Sequence, residues 1–196
     1  TGAVRYHHIF VDGNTIAHSS GINVFPDNVD GYVIRNNTIY DGGSVLMDPG
    51  GVSNLVIDGN FAHNTGTWQG ELKIRWGDQE PWEPGHNCNG AIVRRNVFVN
   101  AERYLILLAS SNGAMVYHNA LANTTGVRVE SGLLFMQYDS GGSTHAKNKY
   151  NSIKNNVFYH VTNETHAGGY FANTCVWMQD SMPEDYDDQE FDYNCY

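Results

Sequence analysis

The sequence has little positive charge. Only 11 of its 196 residues are Lys or Arg, against 21 Asp or Glu, and the formal net charge is −10 with neutral histidines. Nucleic acid is not an expected partner, because phosphate contacts need clustered Lys and Arg. The acidity also disfavours unassisted binding of a polyanionic glycan, although a bound cation would reverse this locally.

Long hydrophobic runs and cysteines are also scarce. No run of about eighteen apolar residues occurs, so no membrane span is predicted, and no signal peptide is present. The sequence opens and closes inside repeat units, which we interpret as a piece of a longer chain. Cys88, Cys175 and Cys195 are too few for a disulfide framework and leave either one Cys175–Cys195 bridge or three separate thiols.

A recurring asparagine among apolar residues is the most informative feature present. The separations between successive members are 23, 23, 36, 23, 37 and 38 residues, which fits a unit of about 23 residues with insertions. The members are Asn14, Asn37, Asn60, Asn96, Asn119, Asn156 and Asn194. A repeat of this length is typical of a solenoid, in which each unit buries its apolar face against its neighbours, here in one domain over residues 1–196.

Fixed positions around these asparagines predict which side chains face the core. The third residue before each asparagine is apolar, as in Ile57, and so is the second residue after it, as in Ile39. Between them lies a mostly charged position, as in Asp58 and Arg94, whose sign alternates over the first four units. We expect Ile57 to face inward and Asp58 to face solvent, so that Asp58→Asn costs little stability.

The asparagines themselves have a predicted structural role. A primary amide carries both a donor and an acceptor, so asparagines stacked one coil apart can hydrogen-bond in a ladder. They also tolerate a tight turn between strands, and strand pairing supplies a coil spacing of about 4.8 Å. The repeated asparagine is therefore expected to hold the fold together and not to form an active site.

Two solenoid types fit this half of the repeat. The spacing over residues 29–39 also matches a leucine-rich repeat, whose return segment would be helical or Leu-anchored. Here the returns are short apolar runs such as "GGSVLMDPGG" and "SGLLFMQYDSGG", which predict buried strands. With these returns the sequence resembles, from Tyr6 to Tyr196, the right-handed parallel β-helix proteins of the pectate-lyase-like superfamily. The resemblance implies an all-β, right-handed parallel β-helix. It does not imply any particular reaction.

The return strands lack the apolar–polar alternation of a sheet with one solvent-exposed face. Residues of opposite parity, such as Val45 and Met47, are both apolar, which predicts burial on both sides. Two explanations remain open. A long loop of the same chain covers the sheet, or another chain, a further segment or self-association does so. Open strand edges at both ends would also make the isolated chain prone to association.

Most return strands end at an aspartate, including Asp48 and Asp78. One interpretation is that these are turn residues that accept backbone N–H bonds. The other is a site, because stacking would place the two carboxylates about 5 Å apart. Like charges that close raise one pKa and prepare an acid and a base or nucleophile, or else hold Ca²⁺, the one cofactor under consideration.

An insertion over residues 65–88 concentrates groups that suit a sugar. Tryptophan faces stack on sugar rings, and loops on a rigid scaffold often carry binding residues. A self-packed loop is the alternative. The predicted substrate-binding residues are Trp68, Lys73, Arg75, Trp76, Trp82 and His86, and Glu71 joins Asp48 and Asp78 as a candidate catalytic carboxyl.

The resemblance implies secreted, carbohydrate-active proteins that act on polysaccharides or oligosaccharides. The acidity and the tryptophans favour a glycoside hydrolase for a neutral or mixed polysaccharide, with two carboxyls flanking the bond. One alternative is a polysaccharide lyase, with Lys73, Arg75 or His86 as base. The other is a non-catalytic solenoid that is structural, adhesin-like or glycan-binding, since neither the paired-aspartate and G-H-G pattern of polygalacturonase-like hydrolases nor the Asp-rich signature of pectate lyases occurs.

Overall fold

The fold is known from a computed structural model, which describes residues 6–65, 70–75, 88–101, 103–109, 111–124, 131–136, 148–161, 174–179 and 189–196. Strands and turns account for these residues, and the predicted all-β class is confirmed. Within these ranges no helix is long and apolar enough to cross a membrane.

Three parallel sheets contain the strands. The seven-stranded sheet holds, in spatial order, β1 (Tyr6–Asp12), β3 (Val29–Arg35), β5 (Val56–Asp58), β8 (Ile92–Arg94), β11 (Met115–Tyr117), β14 (Ser152–Lys154) and β17 (Glu190–Asp192). The six-stranded sheet holds β2 (Thr15–Ala17), β4 (Thr38–Tyr40), β6 (Phe61–His63), β9 (Val97–Val99), β12 (Ala120–Ala122) and β15 (Val157–Tyr159). The four-stranded sheet holds β7 (Leu72–Ile74), β10 (Tyr104–Ala109), β13 (Ser131–Met136) and β16 (Thr174–Gln179). This architecture is consistent with a parallel β-helix.

The register of the seven-stranded sheet follows the predicted apolar column. Val11 pairs with Ile34, Ile34 with Ile57, and Ile57 with Val93. The last three of these side chains are fully buried. The expectation that Ile57 faces the core is confirmed, and the apolar columns form the interior of the stack.

The six-stranded sheet contributes the second inward column. Ile39 pairs with Ala62, and Ala62 with Phe98, all with no exposed surface. The residues on either side of each of these point outward, since the short strands show a buried centre with more accessible flanks. At the far end of the stack Tyr196 is 70% exposed, so this column is not inward over its whole length.

The asparagines lie in the turn between these two sheets and are linked by hydrogen bonds. Asn60 donates from both its side-chain Nδ2 and its backbone N–H to Oδ1 of Asn96, each at 2.9 Å, and from Nδ2 to the Ile34 carbonyl at 2.9 Å. The side-chain to side-chain bond recurs from Asn14 to Asn194. We call this set the asparagine column. In each of these asparagine-to-asparagine bonds the donor is the earlier residue and the acceptor is the next asparagine along the chain.

The residue before each member of the asparagine column has a positive φ. These residues are Gly13, Asn36, Gly59, Arg95, His118, Asn155 and Tyr193. Glycine and asparagine adopt this left-handed conformation readily, whereas Arg95, at φ 55°, does so at a cost of roughly 1–2 kcal/mol. The same corner geometry therefore recurs even where the residue type does not favour it.

Asp58 corrects one expectation. It lies on the outer side of the seven-stranded sheet, but only 7% of it is exposed. Its carboxylate accepts from Nε of Arg95 at 2.7 Å and from Nε of Arg94 at 3.0 Å. The hydrogen bond from Arg95, followed by that from Arg94, lowers the pKa of Asp58. Asp58 therefore lies on the predicted outer side, but Arg94 and Arg95 of the following repeat cover it, so its replacement by Asn is not as neutral as expected.

In the four-stranded sheet, strand β10 is buried on both faces, whereas Lys73 of β7 is partly exposed. All six residues of β10, from Tyr104 to Ala109, are at most 2% exposed. This agrees with the predicted burial of the returns on both sides, and both explanations of what covers them stay predictions.

Candidate functional site

Four of the predicted site residues fall within the described part of the chain. They are Asp48, Glu71, Lys73 and Arg75. The others, Trp68, Trp76, Asp78, Trp82 and His86, lie outside the described residues, and their roles stay predictions. The four described residues lie at β7 and at the segment that bridges to it from the preceding coil.

The register around β7 fixes which residues are level with one another. Met47 bridges to Leu72 and Gly50 bridges to Arg75, both in parallel. In this register the residue level with Asp48 is Lys73. The predicted closeness of Asp48 to Asp78 stays a prediction, because Asp78 is outside the described residues.

Asp48 and Arg75 form a buried ion pair between neighbouring coils. Nε of Arg75 donates to Oδ1 of Asp48 at 2.8 Å, and each side chain is only 6% exposed. The Arg75 guanidinium also lies over the ring of Phe25, 5.2 Å from its centroid. An ion pair removed from water in this way is costly to break, because the remaining charge stays buried. The ion pair and the Phe25 contact together connect three successive repeats, and neither charged side chain is accessible to a polymer.

Glu71 is a different kind of carboxyl. It has no exposed surface, and Oε1 accepts the Thr65 backbone N–H at 3.3 Å. Burial raises the pKa of Glu71 well above its ordinary value. Its Oε2 and the Oγ1 of Thr65 have no hydrogen-bond partner. Glu71 is therefore a buried carboxyl with a raised pKa and only one of its oxygens bonded.

Cys88 lies beside the ion pair. Its thiol contacts the carbonyl oxygens of Arg75 at 3.1 Å and Pro49 at 3.6 Å, and it accepts the Val52 N–H at 3.3 Å. Burial raises the pKa of Cys88 to about 12, so the nucleophilic thiolate is not formed at neutral pH. Cys88, Cys175 and Cys195 are all free thiols.

The chemistry of these groups follows from their accessibility. A glycosidase needs both carboxyls beside the bond that breaks, and a general acid needs to reach the leaving oxygen. Asp48 is 4% exposed and Glu71 is 0% exposed. Both described carboxyls are therefore buried, Asp48 in an ion pair with Arg75 and Glu71 with one unbonded oxygen.

An exposed surface that the sequence analysis did not single out lies elsewhere, on the outer side of the six-stranded sheet. Its outward positions are Thr15, Ala17, Thr38, Tyr40, Phe61, His63, Val97, Val99, Ala120, Ala122, Val157 and Tyr159. We call this set the uncharged face, because it contains no Asp, Glu, Lys or Arg. The signal was present in the sequence, in the first and third positions after each asparagine.

Several side chains of the uncharged face are solvent-accessible. Phe61 is 43% exposed, Val97 39%, Val157 48% and Tyr159 54%. Beside them the rings of Tyr40 and His63 stack almost parallel, 5.1 Å apart at an angle of 3°. Apolar surface exposed in such a continuous row usually marks a binding surface.

Metal binding has no support from the described residues, which contain no group of three or more His, Cys, Asp or Glu side chains placed to hold an ion. Comparison with known proteins gives no match to a family model, to a curated protein or to a solved structure.

Proposed function

We propose that the chain is a right-handed parallel β-helix, closed coil by coil, that binds a neutral or mixed polysaccharide without cleaving it. The three all-parallel sheets, visited in rotation by strands in a repeating register, support the closed solenoid. The carbohydrate class follows from the resemblance of the repeat to the β-helix superfamily named above. A long rigid stack with an exposed face suits a polymeric ligand.

One observation favours binding over hydrolysis, which the sequence alone favoured. The two described members of the predicted catalytic set are buried, Asp48 in an ion pair and Glu71 with a pKa that burial raises. The exposed and uncharged positions lie instead on the six-stranded sheet. Binding requires an exposed surface, whereas hydrolysis requires exposed carboxyls.

Hydrolysis remains a second candidate because of the contrast between Asp48 and Glu71. One carboxyl faces a guanidinium at 2.8 Å and the other has a raised pKa. A carboxyl whose pKa is raised by burial is how glycosidases provide a general acid. Asp78 would complete that set. The lyase alternative is less favoured, since Arg75 is engaged with Asp48.

A glycan panel separates these functions. The purified chain is titrated with soluble and insoluble neutral, mixed and acidic polysaccharides, and released reducing ends and unsaturated products are measured in parallel. We expect retention on a neutral or mixed polymer with no product. Release of reducing ends that Asp48→Asn abolishes in a folded protein would establish hydrolysis instead. Absence of binding to every polymer would overturn the proposal.

A further inference from the structure

We propose that the uncharged face is the surface that holds the polysaccharide, with the polymer running across the strands and along the stack of coils. The inference rests on the proposed function and names the surface and the ligand class, a neutral and unbranched polymer. It concerns the six-stranded sheet, whereas the predicted carboxyl site lies at the four-stranded sheet.

Charge is the first argument. The protein carries a net charge of −10, yet none of the twelve outward positions of the uncharged face is Asp, Glu, Lys or Arg. An anionic polymer would be repelled by the protein as a whole, and a cationic one would prefer the acidic surfaces elsewhere. A neutral polymer suits this surface, because none of its twelve outward side chains is a carboxylate, ammonium or guanidinium that binding would desolvate.

The apolar row is the second argument. Phe61, Val97, Ala120 and Val157 occupy the same position on β6, β9, β12 and β15, and they pair in register. With about 4.8 Å between strands, the row extends for about 15 Å along the stack. The C–H faces of successive sugar units in a linear chain would contact these side chains in turn. The regular spacing matches a ligand that itself repeats.

Polar groups beside this row supply the third argument. The rings of Tyr40 and His63 are stacked, His18 meets Tyr40 edge-on at 5.4 Å, and Tyr159 stacks on His160 at 4.2 Å. Stacking fixes the phenol hydroxyls and imidazole nitrogens at set positions before any ligand arrives. Hydrogen bonds from such groups to sugar hydroxyls cost little conformational entropy, which favours affinity.

The experiment compares face variants with a control of similar exposure on another sheet. The double variant Phe61→Ser/Val97→Ser removes two neighbours of the row, and Val157→Ser removes a third separately. Met115→Ser, on the outer side of the seven-stranded sheet and 41% exposed, is the control. The probe is whichever of cellulose, xylan, mannan and chitin the unmodified chain retains most tightly, measured by depletion from solution.

We expect the double variant to bind at least tenfold more weakly, Val157→Ser a few-fold more weakly, and Met115→Ser as the unmodified chain does, with circular dichroism unchanged. If all variants bind equally, or the control loses as much, this surface is overturned while polysaccharide binding stands. If the unmodified chain binds none of the probes, both proposals fail. If the face variants instead dissociate a dimer, with glycan affinity unchanged, the face is an interface between copies and the inference is wrong.

Discussion

Asn60 donates its side-chain amide to Asn96 at 2.9 Å although 36 residues separate them, and the same bond joins Asn37 to Asn60 across 23 residues at 3.0 Å. The longer separation includes the insertion over residues 65–88. The hydrogen bonds of the asparagine column therefore form whatever the number of residues between its members. A coil can carry an insertion on its return side without any change in the turn that holds it to its neighbours.

Removing a central member of the asparagine column should be severely destabilising. Asn96→Ala deletes the acceptor for two donors of Asn60 and the donors to the Ile57 carbonyl and to Asn119. Each buried group left unpaired costs about 1–3 kcal/mol, so we expect a loss of about 3 kcal/mol or more in the free energy of unfolding. Urea denaturation measures it.

The matched control is Asn14→Ala, at an exposed position of the same column that donates to Asn37 and accepts from no other asparagine. Its unfolding midpoint should move far less. Equal shifts for the two variants would show that burial of the asparagine column does not contribute to its stabilising effect.

Asp58→Asn should lower stability, by an amount of the order of 1 kcal/mol, because Arg94 and Arg95 lose a charged partner but keep access to solvent. The pKa of Asp58 is lowered by the folded structure, so its contribution is present above the ordinary value of 3.8 and is lost as the pH falls through the lowered value. Thermal melts of both proteins should therefore differ at pH 6 and converge in strong acid. A difference that persists in strong acid would contradict the ion-pair explanation.

Glu71 should make stability decrease as the pH rises. Its folded-state pKa is raised above the ordinary value of 4.5, so its contribution is complete below that value and is lost as the pH rises through the raised value. Glu71→Gln keeps the shape and cannot ionise. Urea midpoints are measured at increasing pH from the ordinary value of 4.5 upward, and they should fall more steeply for the unmodified chain than for the variant. Parallel pH profiles would show that Glu71 does not ionise on unfolding.

Asp48→Asn distinguishes a structural carboxylate from a reacting one. Loss of the charge that faces the buried Arg75 guanidinium should cost about 3 kcal/mol. Glycan retention per folded molecule should not change, since the proposed binding surface lies on another sheet. The control Asp12→Asn breaks a similar pair with Arg35, in which both side chains are more than a third exposed, and should shift the melting temperature little. Weaker retention by folded Asp48→Asn would point back to the carboxyl site.

The inward columns were predictable because strand alternation and the spacing of asparagines act locally and repeat. Ile57 and Asn60 need only their own coil and its neighbours to define their surroundings. Arg95 was not predictable in the same way. It lies at a corner with positive φ, where alternation no longer sets the side-chain direction, so its contact with Asp58 depends on the turn geometry of the next coil.

The candidate site was harder to predict for a related reason. Glu71 directly precedes a strand and looks like an accessible acid, but it is fully buried, and its backbone bonds to Met47 and Tyr104 of the neighbouring repeats. Asp48 lies level with Lys73 because of the register between two return segments of different length. Neither quantity repeats along the sequence, so no column of aligned residues reveals it.

The common direction of the hydrogen bonds in the asparagine column has an electrical consequence. Each amide points its oxygen toward the preceding asparagine and its NH₂ group toward the following one. The amide dipoles therefore add head to tail, as the peptide dipoles of an α-helix do, with the positive end on the side of Asn194 and the negative end on the side of Asn14. Aligned amides polarise one another, so each coil strengthens the bonds of coils that it does not touch.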